Sequence, residues 1–198
     1  MSNLPPSYPR LLPRLLRLAV VWQFAMLTLA LEGAAPTGKP VSESELKVAF
    51  LPKVSLFVQW PAGTFKSEQD PIVIGFLGGG DLVPQLKAAV AGRLVAGREL
   101  KVVACRGADD AMQCHMVYLV GGTPQTISET LRRLSGSKVL TVGDARDFAR
   151  LGGMVSLITD NRKIRLEVNL EEIQRADLRI DPQLLQLATT VKTAPGTR

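Results

Sequence analysis

The sequence predicts an α/β fold: a single-domain sandwich with a mixed, partly parallel central sheet, preceded by an apolar N-terminal export segment. Three observations predict it. Strand-length apolar runs at residues 72–77, 100–104, 115–120 and 139–142 alternate with helix-patterned segments, the signature of strands covered by helices. Glycine-bearing turns follow three of these runs, at residues 78–81, 121–124 and 143–144. Residues 138–169 add a hairpin: a strand over 154–159, a turn at Asp160 and Asn161, and a return over 164–169. In that return Ile164, Leu166 and Val168 point one way, and Arg165, Glu167 and Asn169 the other. An isolated hairpin is marginal in water, so it needs a sheet and a covering layer.

The remaining elements follow in order. Residues 41–60 read as a helix opened by a Ser42–Glu45 capping box, with Leu46, Phe50, Val54, Phe57 and Val58 as its buried stripe. Pro52 predicts a kink. Residues 72–77 are apolar without interruption, which suits a central strand buried on both faces. Asp81 is placed to cap a helix running to Ala91 and closed by Gly92. One or two strands fill residues 93–104, and Cys105 and Cys114 bracket a polar loop. After the strand at 115–120, Thr123 caps a helix with Pro124 at its first position; Ile127, Leu131 and Leu134 line one face. A helical turn is expected over 145–151. Asn169 and Glu172 form another capping box, and Asp181-Pro182 starts a last helix with Leu184, Leu185, Ala188 and Val191 on its apolar face.

Length and composition fit one domain. The chain has 198 residues, 46% apolar and 21% charged, so a globular core is available. Net charge is +6, and part of that excess sits in Arg10, Arg14 and Arg17, ahead of the domain. No basic cluster interleaves with aromatics, which argues against nucleic-acid binding. Arg10 and Arg14 precede an apolar run over 15–31, Arg17 sits at its start, and Gln23 interrupts it. A positive flank before an apolar stretch is the pattern of a secretion signal. The run also approaches the length of a membrane span. Residues 1–35 are therefore read as a signal peptide or an N-terminal membrane anchor, 36–192 as the α/β domain and 193–198 as a disordered tail. Either reading of the leader places the domain outside the cytoplasm.

Catalytic chemistry finds little support. The chain has one histidine, His115, and its neighbour Cys114 would point to the opposite face of a strand. Two cysteines without Cys-x-x-Cys spacing make a poor metal set, so neither metal nor cofactor is expected. The Gly78–Gly80 run lacks both the third dinucleotide glycine and a following Gly-Lys-Ser/Thr. In an oxidising compartment Cys105 and Cys114, across a short loop, are expected to form a disulfide.

The runs Leu140-Thr-Val-Gly-Asp-Ala-Arg-Asp-Phe-Ala-Arg-Leu-Gly-Gly-Met154, Leu166-Glu-Val-Asn-Leu170, Leu178-Arg-Ile180 and Leu184-Leu185 resemble the YfiR family. So do Leu46-Lys-Val-Ala-Phe-Leu51, Phe57-Val-Gln-Trp-Pro61 and Val95-x-Gly97-Arg98, although Pro52 departs from the pattern. The cysteine just before His-Met-Val-Tyr-Leu119 is also similar to that family, in which disulfides support stability. The likeness covers roughly residues 43–191. It implies an exported, non-catalytic protein that binds and restrains the extracytoplasmic sensor domain of an inner-membrane signalling protein. A diguanylate cyclase is the first choice, with cyclic-di-GMP and biofilm formation as the output, and a sensor kinase the second. The alternative from another class is a periplasmic small-molecule binding module attached to uptake or sensing. Self-association is left open.

A ligand site is expected where parallel strands end. If the strands before the three glycine turns are parallel, the turns share one sheet edge, where open α/β sheets bind ligands. The candidate residues are Gly79, Gly80, Asp81, Gly122, Thr123, Gly143 and Asp144. Free amides near Gly79 and Gly122 would meet an acidic group; Asp81, Asp144 and the Thr123 hydroxyl would meet hydroxyls or amines. This edge is expected to hold the best pocket, for a small polar ligand. Three ordinary capped turns are the plainer reading of the same residues.

Overall fold

The computed structural model describes residues 42–161 and 163–193. The expected 1–35 leader and residues 194–198 of the expected tail lie outside the described residues. The elements are α1 (Glu43–Leu56), β1 (Val58–Gln59), β2 (Ile72–Leu77), α2 (Leu82–Val90), β3 (Leu94–Val95) and β4 (Arg98–Cys105). They continue with α3 (Ala108–Ala111), β5 (Met116–Leu119), α4 (Pro124–Leu134), β6 (Leu140–Gly143), β7 (Val155–Asp160) and β8 (Lys163–Asn169). Last come α5 (Leu170–Arg175), β9 (Arg179–Ile180), α6 (Pro182–Gln186) and β10 (Ala188–Val191).

Eight strands form a mixed, mostly parallel sheet in the order β10-β8-β7-β6-β5-β2-β4-β3. Strands β4, β2, β5, β6 and β7 run parallel to one another. β8 turns back on β7 as the expected hairpin, with Asp160 opposite Lys163. Period-two alternation splits the central strands between two cores. Ile74 and Phe76 of β2, Met116 and Tyr118 of β5, and Leu140 and Val142 of β6 pack with Val48, Leu51, Leu86 and Ile173 from α1, α2 and α5. On the opposite face Val117 and Leu119 pack with Ile127, Leu131 and Leu134 of α4 and with Phe148. Helices therefore cover both faces, which is why these strands read as unbroken apolar runs.

Several expectations need correction. The last helix stops at Gln186, and Ala188–Val191 form β10, a strand beside β8. Three consecutive β-branched residues, Thr189, Thr190 and Val191, favour a strand over a helix. α1 ends at Leu56, and Val58–Gln59 pair with Arg179–Ile180 in a separate two-stranded sheet. The buried face of α1 is also rotated from the expected stripe. Lys47, Val48, Leu51, Pro52, Val54 and Ser55 are buried, while Leu46 and Phe50 are only partly so. Residues 145–151 form successive turns with no helix. Thr193, expected to open a loose tail, is bonded through its hydroxyl to Asn169 and Glu172.

Those turns after β6 seat Phe148 between two glycines. A Cβ on Gly143 would come within 2.4 Å of the Phe148 ring, and one on Gly153 within 2.1 Å. Neither glycine has room for a methyl, since the fully buried ring has no free space to move into. Gly143→Ala and Gly153→Ala should each lower stability by about 1–3 kcal/mol in urea titrations, the usual cost of overpacking a core. Gly107→Ala, where the backbone is extended and nothing lies within 4 Å, is the control and should change stability by less than about 0.5 kcal/mol.

Candidate functional site

The parallel register sets the three glycine turns side by side. Leu77 at the end of β2 pairs with Leu119 of β5, which pairs with Gly143 of β6. The turns after them thus share one sheet edge, as the sequence reading required. What they offer a ligand differs from expectation. Gly78, Gly121 and Gly122 line one hollow of about 210 Å³ with Thr126, Ile127 and Thr130. Asp144 lines a second, of about 300 Å³, with Glu43, Lys47, Arg146, Asp147 and Glu167. Gly79, Gly80, Asp81, Thr123 and Gly143 line neither.

Of the side chains at this edge, Thr123 is engaged as expected, while Asp81 and Asp144 are not. Asp81, expected to cap α2, makes no side-chain cap bond and lies exposed. The Thr123 hydroxyl accepts from the Thr126 amide at 3.2 Å, and Thr126 Oγ1 accepts from the Thr123 amide at 3.0 Å. This reciprocal box uses the hydroxyl for the helix. Gly79 has a positive φ of 57° and lies against the Val120 side chain. Asp144 caps no helix; it accepts from Lys47 Nζ at 3.1 Å.

Lys47 is the charged residue at this edge that the sequence reading missed. Its side chain is 9% exposed, and it bridges Glu43 at 2.6 Å and Asp144 at 3.1 Å. Burial opposes its charge, but the two carboxylates outweigh that and hold its pKa above the ordinary lysine value. The Lys47 ammonium in turn lowers the pKa of Glu43. Thr159 Oγ1 is close enough to Glu43 to assist, yet lies outside hydrogen-bonding geometry. Below this group, burial and the neighbouring Asp144 carboxylate push the Tyr118 hydroxyl far above its usual pKa. The sequence signal available was the Glu43–Lys47 spacing, four residues apart on one helix. The hollow presents more carboxylates than cations, so it suits a polar guest with an amine or hydroxyls. It is not the largest in the fold. A hollow of about 320 Å³ lies by Arg132, Glu172, Arg175 and Thr193, and one of about 340 Å³ by Trp60, Asp177 and Arg179.

The cysteines are adjacent but unbonded. Their Sγ atoms stand 3.8 Å apart, so the expected disulfide is not formed and both are buried thiols. Burial, then the neighbouring Cys105, push the Cys114 pKa up to about 12. Gly75 of β2 makes room for the pair: a Cβ there would lie 2.6 Å from one sulfur and 2.7 Å from the other. No group of acidic, histidine or cysteine side chains among the described residues could hold a metal ion. Nor is any described helix long and apolar enough to cross a membrane.

The sequence profile of the YfiR/HmsC-like family matches residues 44–189, nearly all of the described fold. The chain belongs to the YfiR/HmsC-like family. Its members are periplasmic and generally non-catalytic regulators. Among solved structures, a conserved domain protein from Vibrio cholerae is similar with a TM-score of 0.53 at 15% identity, covering 76% of this chain. The ABC domain in complex with L-Trp from Streptococcus pneumoniae gives 0.48 at 13% identity, covering 75%. The chain spans 60% of the length of each of these two structures. At such identities the first likeness speaks to the fold alone, and the second adds nothing to it.

Removing one carboxylate tests the Lys47 bridge. Asp144→Asn leaves a buried ammonium with only the exposed Glu43 and should cost about 1–3 kcal/mol at pH 7 by chemical denaturation. The double variant Lys47→Met/Asp144→Asn, which removes the buried charge as well, should recover much of that loss. Simple addition of the two single effects would show that the groups do not interact.

Proposed function

We propose that this chain is a non-catalytic periplasmic regulator. It binds the extracytoplasmic sensor domain of an inner-membrane signalling protein and holds that protein inactive. A diguanylate cyclase is the preferred partner and a sensor kinase the next. The observation that carries the reading is the family match over residues 44–189. The apolar run over 15–31, with Arg10 and Arg14 ahead of it and Arg17 at its start, supports export. The state of the polar groups is compatible with a binding role. Lys47, Asp144 and Glu43 are paired with one another, and the cysteine thiols are held in their protonated form by burial.

A second reading rests on the hollow beside Asp144, which could admit a small polar molecule bearing an amine or hydroxyls. Such a molecule would be either the inducing signal of the regulator or the cargo of a separate uptake system.

Deleting the gene should raise cellular cyclic-di-GMP and biofilm formation, and the exported protein should co-purify with a membrane partner. Unchanged cyclic-di-GMP together with no such partner would overturn the regulatory reading. Residues 1–40 fused to alkaline phosphatase should give active enzyme in a Gram-negative host, and an inactive fusion would remove the export claim. Thermal-shift screening with small polar amines, repeated on Asp144→Asn, separates the second reading. A stabilisation that the variant loses supports the Asp144 hollow, and one that the variant keeps places binding elsewhere.

A further inference from the structure

The opposite edge of the sheet, where the parallel strands begin, carries a second cluster. His115 lies just before β5 and is half-buried. Its Nδ1 accepts the backbone amide of Val73, on β2, at 2.9 Å, while its own amide donates to the Val73 carbonyl at 2.9 Å. The imidazole therefore takes a place that a backbone carbonyl holds elsewhere along the strands. An acceptor at Nδ1 fixes the ring as the neutral tautomer with its proton on Nε2. Phe65 stacks on the ring at 4.5 Å between centroids and 17° between planes, and Trp60 meets it edge-on at 6.3 Å. Trp60 Nε1 also donates to the His115 carbonyl.

These contacts seat the loop over residues 61–71 on the sheet edge. Its far half is held separately. Arg98 of β4 donates to the carbonyls of Ser67, Glu68 and Asp70 and lies 4.0 Å from the Phe65 ring centroid. The charged groups facing the imidazole are Arg98, from β4, and Asp70, from the loop. Burial first and then Arg98 lower the His115 pKa, while Asp70 and the Thr64 backbone oppose this.

We propose that His115 is an acid-operated latch. Neutral, it accepts the Val73 amide and seats the near half of the loop through Phe65 and Trp60. Protonated at Nδ1, it has no lone pair for that amide, and a second cation stands near Arg98. The near half of the loop then lifts, and the hollow of about 340 Å³ walled by Trp60, Pro61, Asp177 and Arg179 loses its aromatic side. The sign follows from linkage. The latched ring binds its proton less readily than a free one, so the closed state is fully favoured above the ordinary value of 6.5 and weakens as pH falls below it. One proton separates the states, so loop opening should rise about tenfold per pH unit between 6.5 and the lower, latched value. For a periplasmic protein, as proposed above, this range tracks the outside medium. The latch itself is tested on purified protein and does not depend on the partner.

The chain contains one histidine, so its imidazole signals need no assignment, provided that purification uses no histidine tag. Nitrogen-15 NMR at pH 7.5 should show a bare Nδ1 and a protonated Nε2, titrating with a midpoint below 6.5. Hydrogen exchange at Val73, corrected for the intrinsic pH dependence, should lose protection between pH 7.5 and 5. His115→Asn offers an amide oxygen near the Nδ1 position and should keep Val73 protected at both pH values. A proton on Nδ1 at pH 7.5, or wild-type protection independent of pH, overturns the latch. So does a His115→Asn variant that loses protection on acidification as the wild type does. Should that variant not fold, the two wild-type measurements decide alone.

Discussion

Burial of the central strands on both faces is the constraint from which the rest of this structure follows. β2, β5 and β6 have helices above and below, so nearly every side chain along them must be apolar. No room is left in the middle of the sheet for charge, and the groups with chemistry collect where the strands end. At the carboxyl edge these are Lys47, Glu43 and Asp144; at the amino edge they are His115, Arg98 and Asp70. Small residues serve the same constraint. Gly143 and Gly153 admit the Phe148 ring, and Gly75 admits the two sulfurs. In each case a missing side chain on one segment is filled by a larger group from another.

The two edges spend their polar groups differently. At the carboxyl edge a buried ammonium is offset by two carboxylates, one of them mostly exposed. The second partner returns part of the desolvation cost of the first pair, which a single exposed ion pair would not do. At the amino edge the polar groups are aimed at backbone. His115 accepts one amide and Arg98 donates to three carbonyls, which satisfies a loop that has no regular ladder of its own. The first arrangement fixes the start of α1 against β6, and the second fixes a loop against β2 and β4.

The fold was readable because double-sided burial leaves a mark in the sequence: unbroken apolar runs of strand length, punctuated by glycines. The hairpin was readable from alternation in Ile164, Leu166 and Val168, and the caps from Ser42 and Thr123. β1 and β9 were not, because two-residue strands carry no period. β10 was misread because Leu184, Leu185 and Ala188 fit a helical spacing, which hid the β-branched run that follows. The candidate ligand residues were chosen by position after a strand, and the parallel register sets all three turns at one edge. Their availability was not legible. Whether Asp144 is free or paired depends on Lys47, which lies 97 residues away in the chain. The cysteines illustrate the same limit, since spacing brought them within 3.8 Å but could not establish a bond.

α1 is the element that ties these two edges together. Its first turns reach the carboxyl edge through Lys47 and Asp144. Its last turn passes directly into β1, which pairs with β9, and then to Trp60 on the His115 carbonyl at the amino edge. The helix continues through Pro52, whose ring cannot donate a backbone hydrogen bond, while Ser55 Oγ donates to the Pro52 carbonyl at 2.8 Å. A helix with one missing internal bond is kept in place by its ends and by the core beneath Val48, Leu51 and Val54. Sliding along its axis would break an ion pair at one edge and an indole hydrogen bond at the other. The position of α1 is therefore set by both polar clusters at once, one at each edge of the sheet.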